Sequence, residues 1–197
     1  MNLVMAGRAA LVVGGGRIAA RKIEGLLASG AVVHVVAPVV DPAIQALPVT
    51  WDERPYRSGE VAGYRLVVSA TADPALNRRI FEEAEAAGVW VNSADDPESC
   101  SVMLPAVLRR GPVSLAVSTG GASPALAAWL RDRLAAVVGP EYEVLAGLLA
   151  ARRAGIRGGG RSTEDLDWRR ALDSDMLDLI RAGRVDEARE RLEQCLS

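Results

Sequence analysis

Residues 12–22 read VVGGGRIAARK, and in them Gly14, Gly16 and Ala19 keep a G-x-G-x-x-A spacing between an apolar β-branched run and a helical pattern. In that setting the first glycine permits a tight turn and the second lets a ligand approach the backbone. The small third residue lets the helix pack closely on the strand. The start of the helix then offers unpaired N–H groups and a partial positive charge. The motif predicts a strand–turn–helix unit that cradles a pyrophosphate, and so a dinucleotide site.

The surrounding pattern agrees with such a unit. AALVVG, RIAARKIEGLLASG and AVVHVVAP read as strand, helix and strand, with Ile18, Lys22, Ile23, Leu26 and Leu27 at helical spacing and Ser29-Gly30 closing the helix. Three more strand signals follow, VTWDERP, RLVVSAT and GVWVNSA, with a helix from Pro74 to about Ala87 before the last. Runs such as RLVVSA are continuously apolar rather than alternating, which suits parallel strands covered on both faces. The first half is therefore expected to be an α/β, Rossmann-like doubly wound parallel sheet. CSVMLPAVLRRGPVSLAVSTGG then reads as a hairpin turning at Arg110-Gly111-Pro112. A helix from Ser123 to about Val138 follows, with Ser123 as N-cap and Pro124 at its first position. Beyond Glu141 the pattern is helical. Ser162 and Asp165 resemble a capping box opening a further helix, and Leu172, Met176, Leu179, Ile180, Ala188, Leu192 and Leu196 form an apolar face.

Length and charge bound the function. The chain has 197 residues, enough for one sizeable core or a domain with an appendage but too few for two full enzyme domains. Its 23 basic and 25 acidic side chains leave no excess of positive charge for nucleic acid. The amino terminus shows no leader pattern, so a cytoplasmic protein with no membrane contact is expected. Cys100 and Cys195 are far apart and without a C-x-x-C partner, so they read as free thiols rather than a disulfide or zinc site.

One part of the dinucleotide fingerprint is missing, because the second strand ends HVVAP where an acid would usually meet the ribose hydroxyls. Asp41 stands a few residues later, either as a substitute or as the cap of a short helix starting at Pro42. With no cation near Pro38 to meet a 2′-phosphate, the pattern leans towards NAD. The lone histidine, His34, lies inside a strand, so acid–base work falls to carboxylates or other groups. Asp95 and Asp96 stand side by side beyond the last parallel strand. As like charges they are expected to raise each other's proton affinity, with Asp96 and Pro97 also able to serve as turn residues.

Taken together, VVGGGRIAARKIEGLLASGAVVHVVAP, VSATADPALNRRI and VWVNSADDPESCSVMLPAVLRRGPVSLAVSTGGASPALA resemble the siroheme-synthase-type precorrin-2 dehydrogenases from about Gly7 to Leu134. The resemblance implies an NAD-dependent oxidoreductase acting on a CH–CH bond, which converts the tetrapyrrole precorrin-2 to sirohydrochlorin in siroheme biosynthesis. Some members also act as ferrochelatases, so ferrous or cobaltous ion is a further substrate to consider, with no permanent metal site. It also implies a plan of three parts: an NAD-binding Rossmann-like domain over 1–112, a small α+β dimerisation segment over 113–140 that makes a homodimer, and a helical carboxy-terminal domain over 141–197. The stand-alone form lacks the methyltransferase domain of the fused siroheme synthases.

Carried over residue by residue, the family's essential aspartate falls on Asp95, expected to be the catalytic base. The cofactor-lining positions fall on Arg17 and Ile18 beside Gly14 and Gly16, and on Pro38 and Val39 at the end of the second strand. A hydroxyl that some bifunctional members phosphorylate falls on Thr119, next to Ser118. For the substrate's carboxylates the chain offers Arg17, Arg21, Lys22, Arg109 and Arg110. Two rivals remain: an NAD-sensing Rossmann module without chemistry, and another NAD(P)-dependent oxidoreductase with an unrelated small substrate.

Overall fold

Mostly apolar runs and one polar edge segment, TWDE, become the five strands of one parallel sheet: β1 (Ala9–Val13), β2 (Val32–Ala37), β3 (Thr50–Glu53), β4 (Leu66–Ser69) and β5 (Trp90–Ser93), in the order β3-β2-β1-β4-β5. The computed structural model describes residues 3–94, 96–164 and 166–196. The chain divides into two units, up to Leu104 and from Pro105 onward. In the first unit the sheet separates two cores. Helix α1 (Arg17–Leu27) and the short α2 (Pro42–Gln45) cover one face, where Ala19, Ile23, Leu26 and Ile44 pack on Val12, Val33, Val35 and Val68. Helix α3 (Pro74–Ala86) covers the other, with Ile80 and Ala84 on Leu11, Val13, Val67 and Val91. This is the doubly wound arrangement expected.

The strand order reverses between β1 and β4, which makes the carboxyl ends of these two strands the switch point at which such sheets bind ligands. The register shows a change of chemistry there. On the α1 face one rung reads Val35, Val12, Val68 and then Asn92; on the α3 face the next reads Val36, Val13, Ser69 and then Ser93. Asn92, Ser69 and Ser93 are all buried, and the Ser69 and Ser93 hydroxyls have no hydrogen-bond partner among the described residues. Buried polar side chains thus replace valine on the last rungs of β4 and β5.

Helix α1 buries Ala19, Ile23 and Leu26, whereas Ile18, at the same helical spacing, is exposed. It lies in the first turn, next to the glycine loop. His34 sits in β2 against the edge strand β3, its Nδ1 2.8 Å from Thr50 Oγ1.

The second unit begins with the antiparallel hairpin β6 (Ala106–Arg110) and β7 (Val113–Val117). Gly111, at φ +53°, takes the first position of the two-residue loop, as a type II′ turn requires, and Pro112 supplies the second. The expected boundary after residue 112 would cut this hairpin. Its ladder instead keeps both strands in one unit, and the chain divides before them. Helix α4 (Pro124–Ala135) packs on both strands, with Ser123 Oγ accepting from Leu126 N. Arg110 donates to the carbonyls of Val138 and Ala135, so it closes the end of α4 and is committed to structure.

Helices α5 (Glu141–Gly158), α6 (Trp168–Leu172), α7 (Met176–Arg181) and α8 (Val185–Cys195) enclose a core of Leu145, Ala171, Met176, Leu179, Ile180, Ala188, Leu192 and Leu196. Two expectations change here. Leu172 is exposed, because Ala171 takes the inward position at the end of α6. The helix expected to open at Ser162 begins at Trp168 and is capped by Asp167, which accepts from Arg170 N; Ser162 Oγ closes a local turn with Glu164 N instead. Asp165, the other half of the expected capping box, lies outside the described residues. Among the described residues, no helix is long and apolar enough to cross a membrane.

The loop after β3 is tied to α3 by one carboxylate. Glu83 accepts from the Tyr56 hydroxyl at 2.5 Å, the Ser58 hydroxyl at 2.7 Å and the Gly59 N–H at 2.8 Å. Burial pushes its proton affinity up, but the three donated hydrogen bonds outweigh this and hold Glu83 below the usual carboxylate range. A depressed folded pKa means the contribution to stability is complete above the unfolded value, hence at neutral pH, and is lost as pH falls through the folded value. Glu83→Ala should cost about 1–3 kcal/mol in urea unfolding at pH 7, in the range for stranding such donors. The difference from the unsubstituted chain should shrink on acidification below about pH 4.

Candidate functional site

The glycine loop follows β1 directly and owes its course to missing side chains. At Gly14, φ is +129° and a Cβ would stand 2.3 Å from the Ala70 carbonyl oxygen after β4. At Gly15 a Cβ would stand 2.0 Å from the Val39 carbonyl oxygen after β2. The loop is therefore wedged between the chain leaving the two neighbouring strands, and Asp41 N donates to Gly15 O at 2.9 Å to hold it there. Gly16 differs. A Cβ added to it meets nothing within 4 Å, so its lack of a side chain leaves open space at the start of α1.

That space lies at a helix end with no side-chain cap. In the first unit α2 is capped by Asp41, α3 by Asp73 and the 3₁₀ turn Pro97–Ser99 by Asp96. Helix α1 begins on Gly16 with no side-chain cap and no acid in its first turn. Eleven residues of aligned peptide dipoles thus end on N–H groups with no side-chain cap among the described residues. A pyrophosphate meets that requirement, and the open space at Gly16 gives it room to approach. The residues present fit a dinucleotide.

The cofactor candidates are brought together at this edge of the sheet. Arg17 and Ile18 are exposed in the first turn of α1. Pro38 and Val39 follow β2 beside Gly15, and Val39 is 77% exposed although apolar. Asp41 does not stand in for the missing ribose acid: its Oδ1 accepts from Ala43 N at 2.8 Å and caps α2. An exposed valine faces solvent where a carboxylate is usual in this fold.

On the other side of the switch point, β5 runs into the segment that carries the paired aspartates. Asp95 lies outside the described residues. Asp96 is the N-cap of the 3₁₀ turn, accepting from Glu98 N at 3.1 Å and from the Ser99 hydroxyl at 2.5 Å. The Ser99 hydrogen bond is the main cause holding Asp96 below the usual carboxylate range. The expected mutual rise in proton affinity is therefore corrected for Asp96, because hydrogen bonding to the charged form dominates there. Cys100 closes the segment. Its Sγ lies 3.3 Å from the carbonyl oxygens of both Ser93 and Asp96, and it accepts from Ser93 N at 3.2 Å. Burial pushes its thiol pKa up, so it is a protonated donor at neutral pH.

Among the cationic candidates, Arg17, Arg21 and Arg109 are exposed, and Lys22 reaches from α1 to donate to Asn92 Oδ1 at 3.1 Å. Thr119 Oγ1 accepts from Ser123 N and Ser118 Oγ from Gly120 N, so both hydroxyls brace the loop before α4. Sequence reasoning missed Asn92. The available signal was an amide inside the otherwise apolar strand VWVNS, where burial must be compensated by hydrogen bonds.

A parallel doubly wound sheet, a glycine turn at its switch point and an uncapped helix start beside it define a Rossmann-like dinucleotide-binding module. A family model described as "Putative NAD(P)-binding" matches residues 1–106, more than half of the chain, and the chain belongs to that NAD(P)-binding family. A second model, "Sirohaem biosynthesis protein central", matches residues 110–136. Curated relatives include the siroheme synthases of Actinobacillus pleuropneumoniae serotype 3, 40% identical over 76% of this chain and 32% of that protein, and of Nitrosococcus oceani, 37% identical over 96% and 42%. The chain thus spans well under half the length of these relatives. The solved structure of SirC, a precorrin-2 dehydrogenase, is similar over 99% of this chain and 97% of its own, with 28% identity and a TM-score of 0.72. The resemblance read from the motifs is borne out.

The two kinds of glycine separate folding from binding. Gly14→Ala or Gly15→Ala should destabilise the first unit severely, since each places a methyl group against a backbone carbonyl. Gly16→Asp has room, keeps an ordinary backbone conformation and supplies a cap to α1. It should leave the melting temperature unchanged or raised while weakening dinucleotide affinity at least about tenfold, because the carboxylate takes the phosphate's place. Thermal melts and titration calorimetry on the same samples check both halves.

Proposed function

We propose that the chain oxidises precorrin-2 to sirohydrochlorin with NAD, a carbon–carbon dehydrogenation in siroheme biosynthesis. The observation that carries this reading is the end-to-end likeness to the SirC precorrin-2 dehydrogenase, joined to an uncapped α1 start at the switch point. Bound there, NAD supplies the two-electron acceptor. Gly14 makes the tight turn, Gly16 lets the cofactor approach the backbone, the start of α1 holds its phosphates, and Arg17, Ile18, Pro38 and Val39 line its path. The preference is for NAD over NADP, supported by the absence of a cation next to Pro38 in the sequence.

Asp95 takes the proton that leaves the substrate carbon, acting as general base. Asp96 does not share the task, since its carboxylate is engaged with Glu98 N and the Ser99 hydroxyl. Arg17 and Arg21, exposed on α1, suit the substrate's carboxylates, which guanidinium groups bind in paired fashion. Arg110 is excluded from that role by its hydrogen bonds to the end of α4.

Under anaerobic conditions, precorrin-2 and NAD should yield NADH together with the sirohydrochlorin spectrum. Asp95→Ala should lower kcat by about two to four orders of magnitude with little change in NAD affinity, the range for losing a positioned acid–base group. Bound NAD without turnover in the unsubstituted protein would replace this reading with a nucleotide-sensing module. Chelation is assayed separately, with sirohydrochlorin and ferrous or cobaltous ion as substrates.

The working form is a homodimer built on the hairpin and α4. Support comes from α4 itself, in which Ala127 is buried while Leu126, Trp129 and, just beyond the helix, Val137 are exposed, Trp129 by 53%. A single copy leaves these apolar groups in water. Trp129→Glu should convert the dimer to a monomer in light scattering at micromolar concentration while leaving the helical circular dichroism intact. A dimer of unchanged stability would remove α4 from the interface.

A further inference from the structure

Asn92 is 5% exposed and ends the rung Val35, Val12, Val68 on the face that α1 covers. Valine would satisfy that rung, whereas a buried amide is costly unless its donors and acceptor are used. They are used on both sides. Oδ1 accepts from Lys22 Nζ of α1 at 3.1 Å, and Nδ2 donates to Val102 O at 2.9 Å and to Cys100 Sγ at 3.6 Å. An ammonium only donates and a carbonyl only accepts, so these partners fix which end of the amide faces which. Cys100 in turn reaches the backbone of Ser93 and of Asp96, which lie on either side of position 95.

We propose that Asn92 is a positioning residue that, with Lys22 and Cys100, couples the dinucleotide-binding helix to the segment bearing the catalytic aspartate. The inference rests on the reading of Asp95 as base. Lys22 sits in the second turn of α1, whose first turn meets the phosphates, so ordering of that end by NAD is passed through the Lys22–Asn92 hydrogen bond to Cys100. The segment is then set when the cofactor is in place, and proton removal and electron transfer share one geometry.

The test reads this coupling without relying on turnover. Alkylation of Cys100 by iodoacetamide, followed on its own peptide by mass spectrometry, should be slowed about threefold or more by saturating NAD in the unsubstituted protein. Asn92→Ala should abolish that protection with NAD affinity within about twofold. Lys22→Met, which keeps the packed stem of the side chain, should do the same and serves if the buried substitution does not fold. In the dehydrogenase assay Asn92→Ala and Cys100→Ala should each lower kcat by about tenfold or more at unchanged KM for NAD, and Cys100→Ser should recover most of the loss. Protection by NAD that persists in both Asn92→Ala and Lys22→Met overturns the proposal, as does an unchanged kcat in Asn92→Ala. Asp95→Ala is run in parallel. Full turnover in that variant rejects Asp95 as base, while loss of protection in the Asn92 and Lys22 variants still upholds the coupling.

Discussion

The close approach of backbone to backbone at Gly14 and Gly15 is the constraint on which the rest of the site depends. Carbonyl oxygens of Ala70 and Val39 occupy the volume that two Cβ atoms would need. Because they do, the chain leaving β1 passes between its neighbours, and α1 starts at the edge of the sheet beside the switch point. A loop with side chains at these positions would be pushed outward, carrying the helix start away from the strand ends. The uncapped N–H groups would then face open water rather than a ligand held against the sheet.

Much of this was legible in the primary structure because each signal was local. The glycine spacing, the continuous apolar strands, the Ser123-Pro124 start of α4 and the Gly111-Pro112 turn depend on a few neighbouring residues and on backbone sterics. The misreadings share the opposite property. Whether Leu172 faces a core depends on where a helix ends relative to other elements, and helical spacing alone cannot supply that. Ser162 matched a capping pattern, but a serine satisfied by an N–H two residues on closes a turn as well as it starts a helix. Asn92 was passed over because its worth comes from Lys22, seventy positions away.

Asp41 shows how a single residue type carries two readings until the chain is folded. Its place after β2 allowed either a ribose contact or a helix cap, and the hydrogen bond to Ala43 N decides for the cap. On the proposed reading, the consequence is a cofactor edge formed by Pro38 and Val39 without a carboxylate. Recognition in this region then comes from shape and apolar contact, and the affinity for the dinucleotide rests more heavily on its phosphates. Such a site depends strongly on the partial charge at the start of α1, which is why an acid at Gly16 is a sharper probe than any change at the end of β2.

The same accounting separates the two adjoining aspartates. Near the carboxyl edge of the sheet, Asp41 holds α2, Asp73 accepts from Ala75 N and Leu76 N to hold α3, and Asp96 holds the 3₁₀ turn. Each is an acceptor serving backbone N–H groups at the start of a helix or turn. A catalytic base must gain a proton in every cycle, so a carboxylate whose ionised form fastens the backbone is poorly suited to the work. Asp96 meets that objection directly, because the Ser99 hydroxyl and the Glu98 N–H both favour its charged state. The proposed division therefore has a physical basis: Asp96 keeps its charge and shapes the segment, Cys100 closes it from the other side, and Asp95 is assigned the proton.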